Sequence, residues 1–330
     1  MAVIDMHTHT FSVEADALVK GRYDPTTIPY QRDMGADSKL TDAVEMKRIA
    51  PKFRSLELRL GDMAAMRVDM QVVIPAPGQQ HYWAEPELNI ALSRAQNDHV
   101  AKMVAPMPDR FAGMGTLPMR DAAAAVDEAT RCVNELGLRG FQIDSHVNDL
   151  ELSHRSFDPL YARLSALRAP LFIHPLGFSH GFRFSEFFMV NAVGQPLEEA
   201  LALSHLIFGG VLDRFPDLRV CIAHGGGYFP YYVGRMDHAW HVRPEVRKLT
   251  PEPASAYLKR LWFDTCVFRA DTLQTLIELA GVEHVMLGSD YPFDMADGDP
   301  LGIVDRSAGL SADERALIAG GNARQFFALG

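Results

Sequence analysis

The chain has 330 residues, 48% hydrophobic and 22% charged, the balance of an ordinary water-soluble globular protein. A formal net charge of −10 excludes nucleic acid as a main partner, because a phosphate backbone needs a basic face, but leaves small anionic substrates open. No apolar run reaches the roughly 18 residues of a membrane span and no basic-then-apolar leader is visible. Three scattered cysteines, Cys132, Cys221 and Cys266, without a Cys-x-x-Cys, point to a reducing cytoplasm rather than a disulfide framework.

Short apolar segments alternate with helical patterns along the whole chain. The first strand is expected over 3–6 and runs out at His7-Thr8-His9. Residues two apart on a strand share a face, so both imidazoles aim into one space with Thr8 turned away. The stretch from about 10 to 67 is too long for a plain connection and reads as an insertion able to cover a site, with a helix near 56–66 leading back into the second strand. Further strands are expected at 70–75, 112–117, 140–143, 171–174, 219–223, 261–263 and 284–287, with helices at 121–136, 159–167, 196–208 and 270–280. Asp121 caps the first of these helices and Gly137 ends it. Eight strands alternating with helices favour a single α/β domain over 1–330, a (β/α)8 barrel with the insertion after strand one. A doubly wound dinucleotide fold is disfavoured because no Gly-x-Gly-x-x-Gly follows the first strand.

In such a barrel the chemistry sits at the C-terminal strand ends. Strand one ends in His7 and His9, strand five ("LFIHP") in His174, strand six ("VCIAHGGG") in His224 and strand eight ("VMLGSDYPF") in Asp290. His7, His9, His174 and Asp290 offer three imidazoles and a carboxylate, a set suited to one divalent metal such as zinc. His224 is left over as an acid–base group beside a metal-activated water. Each residue alone has an ordinary reading: a satisfied histidine, a strand-end residue, a cap on the next turn. Their convergence at one end of one barrel is what gives the metal reading its weight. The loop after strand five, "PLGFSHGFRFSEFF", carries His180 and Arg183 among its phenylalanines. It reads either as an aromatic lid over a planar acid or as a loop packed against the insertion or a partner. His205 reads as a core histidine, and His146 as one able to approach the barrel mouth.

The pieces "IDMHTH", "GFQI", "FIHP", "AHGGGYFPYYVGRMDHAW", "MLGSDYPF" and the closing "GNARQFF" resemble the amidohydrolase superfamily, and within it the branch of aminocarboxymuconate-semialdehyde decarboxylase. The resemblance implies one zinc on His7, His9, His174 and Asp290, with His224 as general acid–base. Strand four, "GFQID", lacks the lysine of two-metal members, which favours a single ion. Some decarboxylases of the branch have Glu-x-His in place of His-x-His and resemble manganese enzymes. Both histidines here make zinc the first choice and manganese the other. Arg235 matches an arginine that reaches into the neighbouring subunit to grip a substrate carboxylate, which implies a homodimer or higher homo-oligomer. Arg48 and Arg54 are candidates for a second such arginine in the insertion. Leu176 stands where the named enzyme has tryptophan, so the substrate is expected to differ.

The leading expectation is a metal-dependent, non-oxidative decarboxylase of a small unsaturated or aromatic carboxylic acid, either carboxymuconate-semialdehyde-like or hydroxybenzoate-like, working through metal-activated water or through substrate chelation. Asp290 would also shuttle the proton that replaces the carboxyl group. The same site would serve a lactone or amide hydrolase or a hydratase. A metal-binding scaffold without turnover is the reading from outside enzymology, and the spare His224 and Arg235 speak against it.

Overall fold

Eight short parallel strands, almost wholly buried, follow one another around a ring in the computed structural model, which describes residues 2–22, 24–179 and 181–330. They are β1 (Ile4–Thr10), β2 (Met70–Pro75), β3 (two pieces, Phe111–Gly113 and Gly115–Thr116), β4 (Phe141–Ile143), β5 (Leu171–Ile173), β6 (Val220–Ile222), β7 (Leu261–Asp264) and β8 (Val285–Met286). Apart from β1, most of whose residues are polar, their sequences are largely apolar because both faces are covered, one by the barrel interior and one by the outer helices. Ile4, Met6, Val72, Ile74, Phe172, Cys221 and Met286 pack inside, with Phe326 and Phe327 of the C-terminal segment at the same cluster. Phe141, Ile143, Leu171, Ile173, Val220, Ile222, Leu261 and Phe263 alternate with these and face the helices.

Backbone hydrogen bonds carry the ring through its two irregular points. The third strand, expected to be continuous, breaks at Met114: its N–H bonds Val73 O at 2.9 Å, while Gly115 N bonds Gly140 O at 2.9 Å, so the strand passes from β2 to β4 at that residue. Gly113 and Gly115 lie so close to the helix Pro86–Val104 that an added Cβ would meet Val100 at 2.7 Å and Asn97 at 2.6 Å. The approach lets the Asn97 amide take the place of a strand neighbour, bonding Thr116 N at 2.7 Å and Thr116 O at 3.0 Å. Between β8 and β1 the ring closes through Met6 N to Leu287 O (2.9 Å), Asp290 N to His7 O (2.9 Å) and His9 N to Tyr291 O (2.6 Å).

β1 does not run out at His7 but extends to Thr10, with one extra residue relative to β2 between Asp5 and Thr8. This bulge shifts the alternation by one. Ile4 and Met6 point inward below it, and His7 and His9 point inward above it. Thr8 turns away, its hydroxyl bonding Val72 O at 2.9 Å. The insertion follows as the helices Val13–Val19, Pro29–Asp33, Ala36–Ile49 and Leu56–Ala65. Asp121 caps Ala122–Asn134 through Ala123 N and Ala124 N, as expected. No described helix is long and apolar enough to cross a membrane.

Arg59 fastens the last insertion helix to the barrel wall. Fully buried, it donates to Thr8 Oγ1 (3.1 Å), Gln71 Oε1 (2.9 Å) and His9 O, and its guanidinium lies 4.8 Å from the Tyr291 ring centre. Arg59→Met keeps the volume but strips these acceptors of their donor. It is expected to lower unfolding stability by about 3–5 kcal/mol, read as a lower urea midpoint at unchanged slope.

Candidate metal centre

His7 and His9 enter the barrel mouth from β1, His174 from the end of β5 and Asp290 from the turn after β8. The ligand atoms of these four lie within 4.8 Å of one another, and all four residues are buried. Asp290 Oδ1 is 3.2 Å from His7 Nε2, 3.0 Å from His9 Nε2 and 3.7 Å from His174 Nε2. The three rings stand edge to face, with centres 4.9–5.1 Å apart.

The outward nitrogens decide what the inward ones can be. His7 Nδ1 faces Asp264 Oδ2 at 2.7 Å, His174 Nδ1 faces Pro175 O at 2.9 Å and His9 Nδ1 faces Pro75 O at 3.4 Å. Carboxylates and carbonyls only accept, so each Nδ1 carries a hydrogen and each ring, when in its neutral form, presents a bare Nε2 lone pair inward. His7 Nε2 and His9 Nε2 then face each other at 3.0 Å, acceptor against acceptor. His174 Nε2 and Asp290 Oδ1 are buried without a hydrogen-bond partner among the described residues. Burial lowers His9 to about 4 and His174 to about 3, so both favour the neutral form. For His7, burial works the same way but is outweighed by the Asp290 charge and the Asp264 hydrogen bond, which push it up to about 9. Burial would raise Asp290, yet the facing His7 holds it well below the usual carboxylate range. A centre of converging lone pairs that favours one positive charge is the donor chemistry of a divalent cation, and the residues present fit one.

His224 stands beside this group rather than in it. Its Nε2 is 3.5 Å from Asp290 Oδ2, and its Nδ1 is 2.5 Å from Glu199 Oε1. Burial disfavours its charged form, but Glu199 and Asp290 carry His224 well above the ordinary imidazole value. Sequence reasoning missed two of the supporting residues. Asp264 ends β7, where the strand-end rule that found the other groups applies equally. It also accepts from Gly225 N (2.9 Å) and Cys266 N (3.1 Å). Glu199 lies on the buried face of the helix Gly194–Phe208, and only its charge within an apolar stripe distinguishes it.

Two cavities open on the centre. The larger, of about 690 Å³, lies over His174 and Asp290 and is walled by the insertion through Phe11, Tyr30, Met46 and Phe53. The smaller, of about 340 Å³, borders His224, Tyr228, Tyr231 and Cys266, and Asp290 lines both. Arg183 is exposed and lines neither. His180 lies outside the described residues. Of the loop's phenylalanines, Phe188 lines the larger cavity, whereas Phe182 and Phe187 are 78% and 85% exposed, so the loop is only partly a lid. Arg48 pairs with Glu45 at the surface, and Arg54 and Arg235 are exposed; none lines either of these two cavities. His205 is not a core residue: it is half-exposed and faces Glu151 at 3.5 Å. His146 belongs to a short hairpin away from both cavities.

Residues 4–329 match the family described as Amidohydrolase. The chain is 36% identical over 297 residues to the 2-amino-3-carboxymuconate-6-semialdehyde decarboxylase of Dictyostelium discoideum, covering 90% of this chain and 81% of that one. Among solved structures it is similar to 5-carboxyvanillate decarboxylase from Sphingomonas paucimobilis, with a TM-score of 0.85, 30% identity and coverage of 100% and 99% of the two chains. It is also similar to 5-carboxyvanillate decarboxylase of Novosphingobium aromaticivorans, solved with manganese and 3-methoxy-4-hydroxy-5-nitrobenzoic acid. That match has a TM-score of 0.86, 25% identity and coverage of 99% and 97%.

Asp264→Asn tests the support given to His7. An amide can offer Nδ1 a donor instead of an acceptor and release the ring from its tautomer. Affinity for a divalent ion is expected to fall about 10–100-fold in competition with a chromogenic chelator, with the far-ultraviolet dichroism unchanged.

Proposed function

The chain belongs to the amidohydrolase family, and from that membership and the geometry of its centre we propose that it is a divalent-metal-dependent, non-oxidative decarboxylase of a small aromatic or unsaturated carboxylic acid. The observation that carries the reading is the position of Asp290, with Oδ1 among three Nε2 atoms and Oδ2 toward His224, in a family whose similar members are decarboxylases. His7, His9, His174 and Asp290 hold the ion. Zinc is the first choice for a site with both histidines of His-x-His, and the manganese of a similar enzyme is the other. A bound divalent ion supplies Lewis-acid polarisation of a substrate oxygen.

Decarboxylation breaks one C–C bond, leaves its electron pair on the substrate carbon and requires one proton at that carbon. Asp290 lines both cavities and its Oδ2 is turned away from the three ligand imidazoles and toward His224, so it delivers that proton, and His224 Nε2 replenishes it. The ring lies against Phe53, Phe293 and Phe188, which present apolar surface to a planar substrate.

The grip on the substrate's anion comes from outside the subunit. Asp16, Asp42, Glu45 and Asp294 line the larger cavity against Lys20 alone, and no described arginine lines either cavity. That is a poor setting for a carboxylate substrate unless a cation beyond the metal ion is added. Arg235, exposed on the helix Val233–Val242, supplies it to the partner of a homodimer. The cytoplasm is the compartment that suits its three free cysteines.

Metal-loaded protein is expected to release carbon dioxide from at least one member of a panel of hydroxybenzoates and carboxymuconate semialdehydes. His224→Ala should abolish the release at unchanged metal content. Metal-bound protein inert toward the whole panel but active on lactones or on an activated double bond would replace this reading with hydrolysis or hydration. Arg235→Ala should raise KM at least about tenfold. Mixing it with His224→Ala subunits should restore about a quarter of wild-type activity, because half the sites of each mixed dimer regain both residues. No recovery on mixing would place Arg235 in its own subunit's chemistry or outside the site.

A further inference from the structure

Two neighbouring glutamates on the helix Gly194–Phe208 are both buried, and their surroundings differ sharply. Glu198 is a satisfied strut: Oε1 accepts from Ser179 N and Ser179 Oγ at 2.8 Å each, and Oε2 accepts from Ser145 Oγ at 3.2 Å. Glu199 has a single hydrogen-bond partner among the described residues, His224 Nδ1 at 2.5 Å, and its Oε2 is buried without one. A carboxylate left half-satisfied in the interior costs stability, so packing does not account for it.

The backbone around His224 is shaped to the same pair. His224, Gly225, Gly226 and Gly227 all have positive φ, at 50°, 61°, 77° and 59°. For histidine this is a sparsely populated conformation, held by its surroundings. A Cβ on Gly227 would lie 2.1 Å from Pro196 O and 2.7 Å from Glu199 Oε2. The glycine is therefore what allows the loop after β6 to settle onto the start of this helix, with Glu199 beneath the imidazole.

We propose that Glu199 is the positioning residue of His224: it accepts the Nδ1 proton, fixes the ring and so commits Nε2 to face Asp290 and the substrate cavity. The inference rests on the reading of His224 as the acid–base group and adds the group that makes it directional. Without Glu199 the imidazole is free to rotate or to take the other tautomer, and Nε2 no longer meets Asp290 in a productive state.

Glu199→Gln, nearly isosteric, and Glu199→Ala are the variants to make. Both should lose about a hundredfold or more in kcat, with KM within about threefold and metal stoichiometry unchanged. Adding Glu199→Gln to His224→Ala should cost nothing further, since a positioning residue has nothing left to position. Nitrogen-15 spectra of labelled histidines give a readout that needs no substrate: His224 should carry a proton on Nδ1 in the wild type and lose that preference in Glu199→Ala. A wild type inert toward every acid tested would sink the decarboxylase reading, while the spectra would still decide the role of Glu199. A kcat within threefold of wild type, an effect on KM alone, or a wild-type His224 without the Nδ1 proton would each overturn the proposal.

Discussion

One seam governs the molecule, the join between the end of β8 and β1. The hydrogen bond from Asp290 N to His7 O closes the barrel, and the side chains of the same two residues meet at its centre. Closure and assembly of the site are therefore a single event. A barrel that failed to close would separate the carboxylate from two of the three imidazoles, and a site assembled elsewhere would leave β1 with an open edge. The neighbouring bond from His9 N to Tyr291 O and the Arg59 side chain, which grips His9 O, Thr8 and the Tyr291 ring, reinforce the same few residues.

From that seam the electrostatics follow outward. Each inward lone pair exists because an acceptor faces the other side of its ring, and the three acceptors are of different kinds. Two are backbone carbonyls, Pro75 O at the end of the neighbouring β2 and Pro175 O of the residue directly after His174, which cost little to provide. The third is Asp264, a buried carboxylate that itself needs the N–H groups of Gly225 and Cys266. The segment beginning at His224 thus supports His7 through Gly225 N and Asp264 while it places the His224 ring beside Asp290. The support of His7 and the placement of His224 share one stretch of backbone and cannot be tuned independently.

Much of this could be read from the chain, for identifiable reasons. Strands buried on both faces leave apolar runs that composition cannot hide, and groups at the C-terminal ends of those runs must converge once the barrel closes. His7, His9, His174, His224 and Asp290 were legible on that basis. The bulge in β1 was not, because an extra residue leaves no mark in residue type, yet it alone lets Met6 and His7 face the same interior. Asp264 was legible in principle, being like Asp290 a strand-end carboxylate, although the apolar run that marks its strand stops one residue before it. Glu199 was not legible: its partner is 25 positions away on another element, and a helix sequence does not say which of two adjacent glutamates will be satisfied. The arginines are less legible: Arg48, Arg54, Arg183 and Arg235 are exposed and line neither cavity of their own chain, and a cation near the right motif carries no information about which cavity it enters, or whose.

The closing seam also has a consequence for how the chain is made. Asp5 and Ser289, which bond across it, are 284 positions apart, so during synthesis β1 emerges first and keeps one edge unpaired for on the order of 15–60 s. An exposed, apolar strand edge over that interval invites pairing with another chain. β1 is the strand in which Asp5, His7, Thr8, His9 and Thr10 interrupt the apolar pattern, and the extra residue between Asp5 and Thr8 spoils its regular ladder. The irregularity that aims the two imidazoles therefore also makes the nascent edge a poor template, protecting the chain from aggregation before its last strand exists.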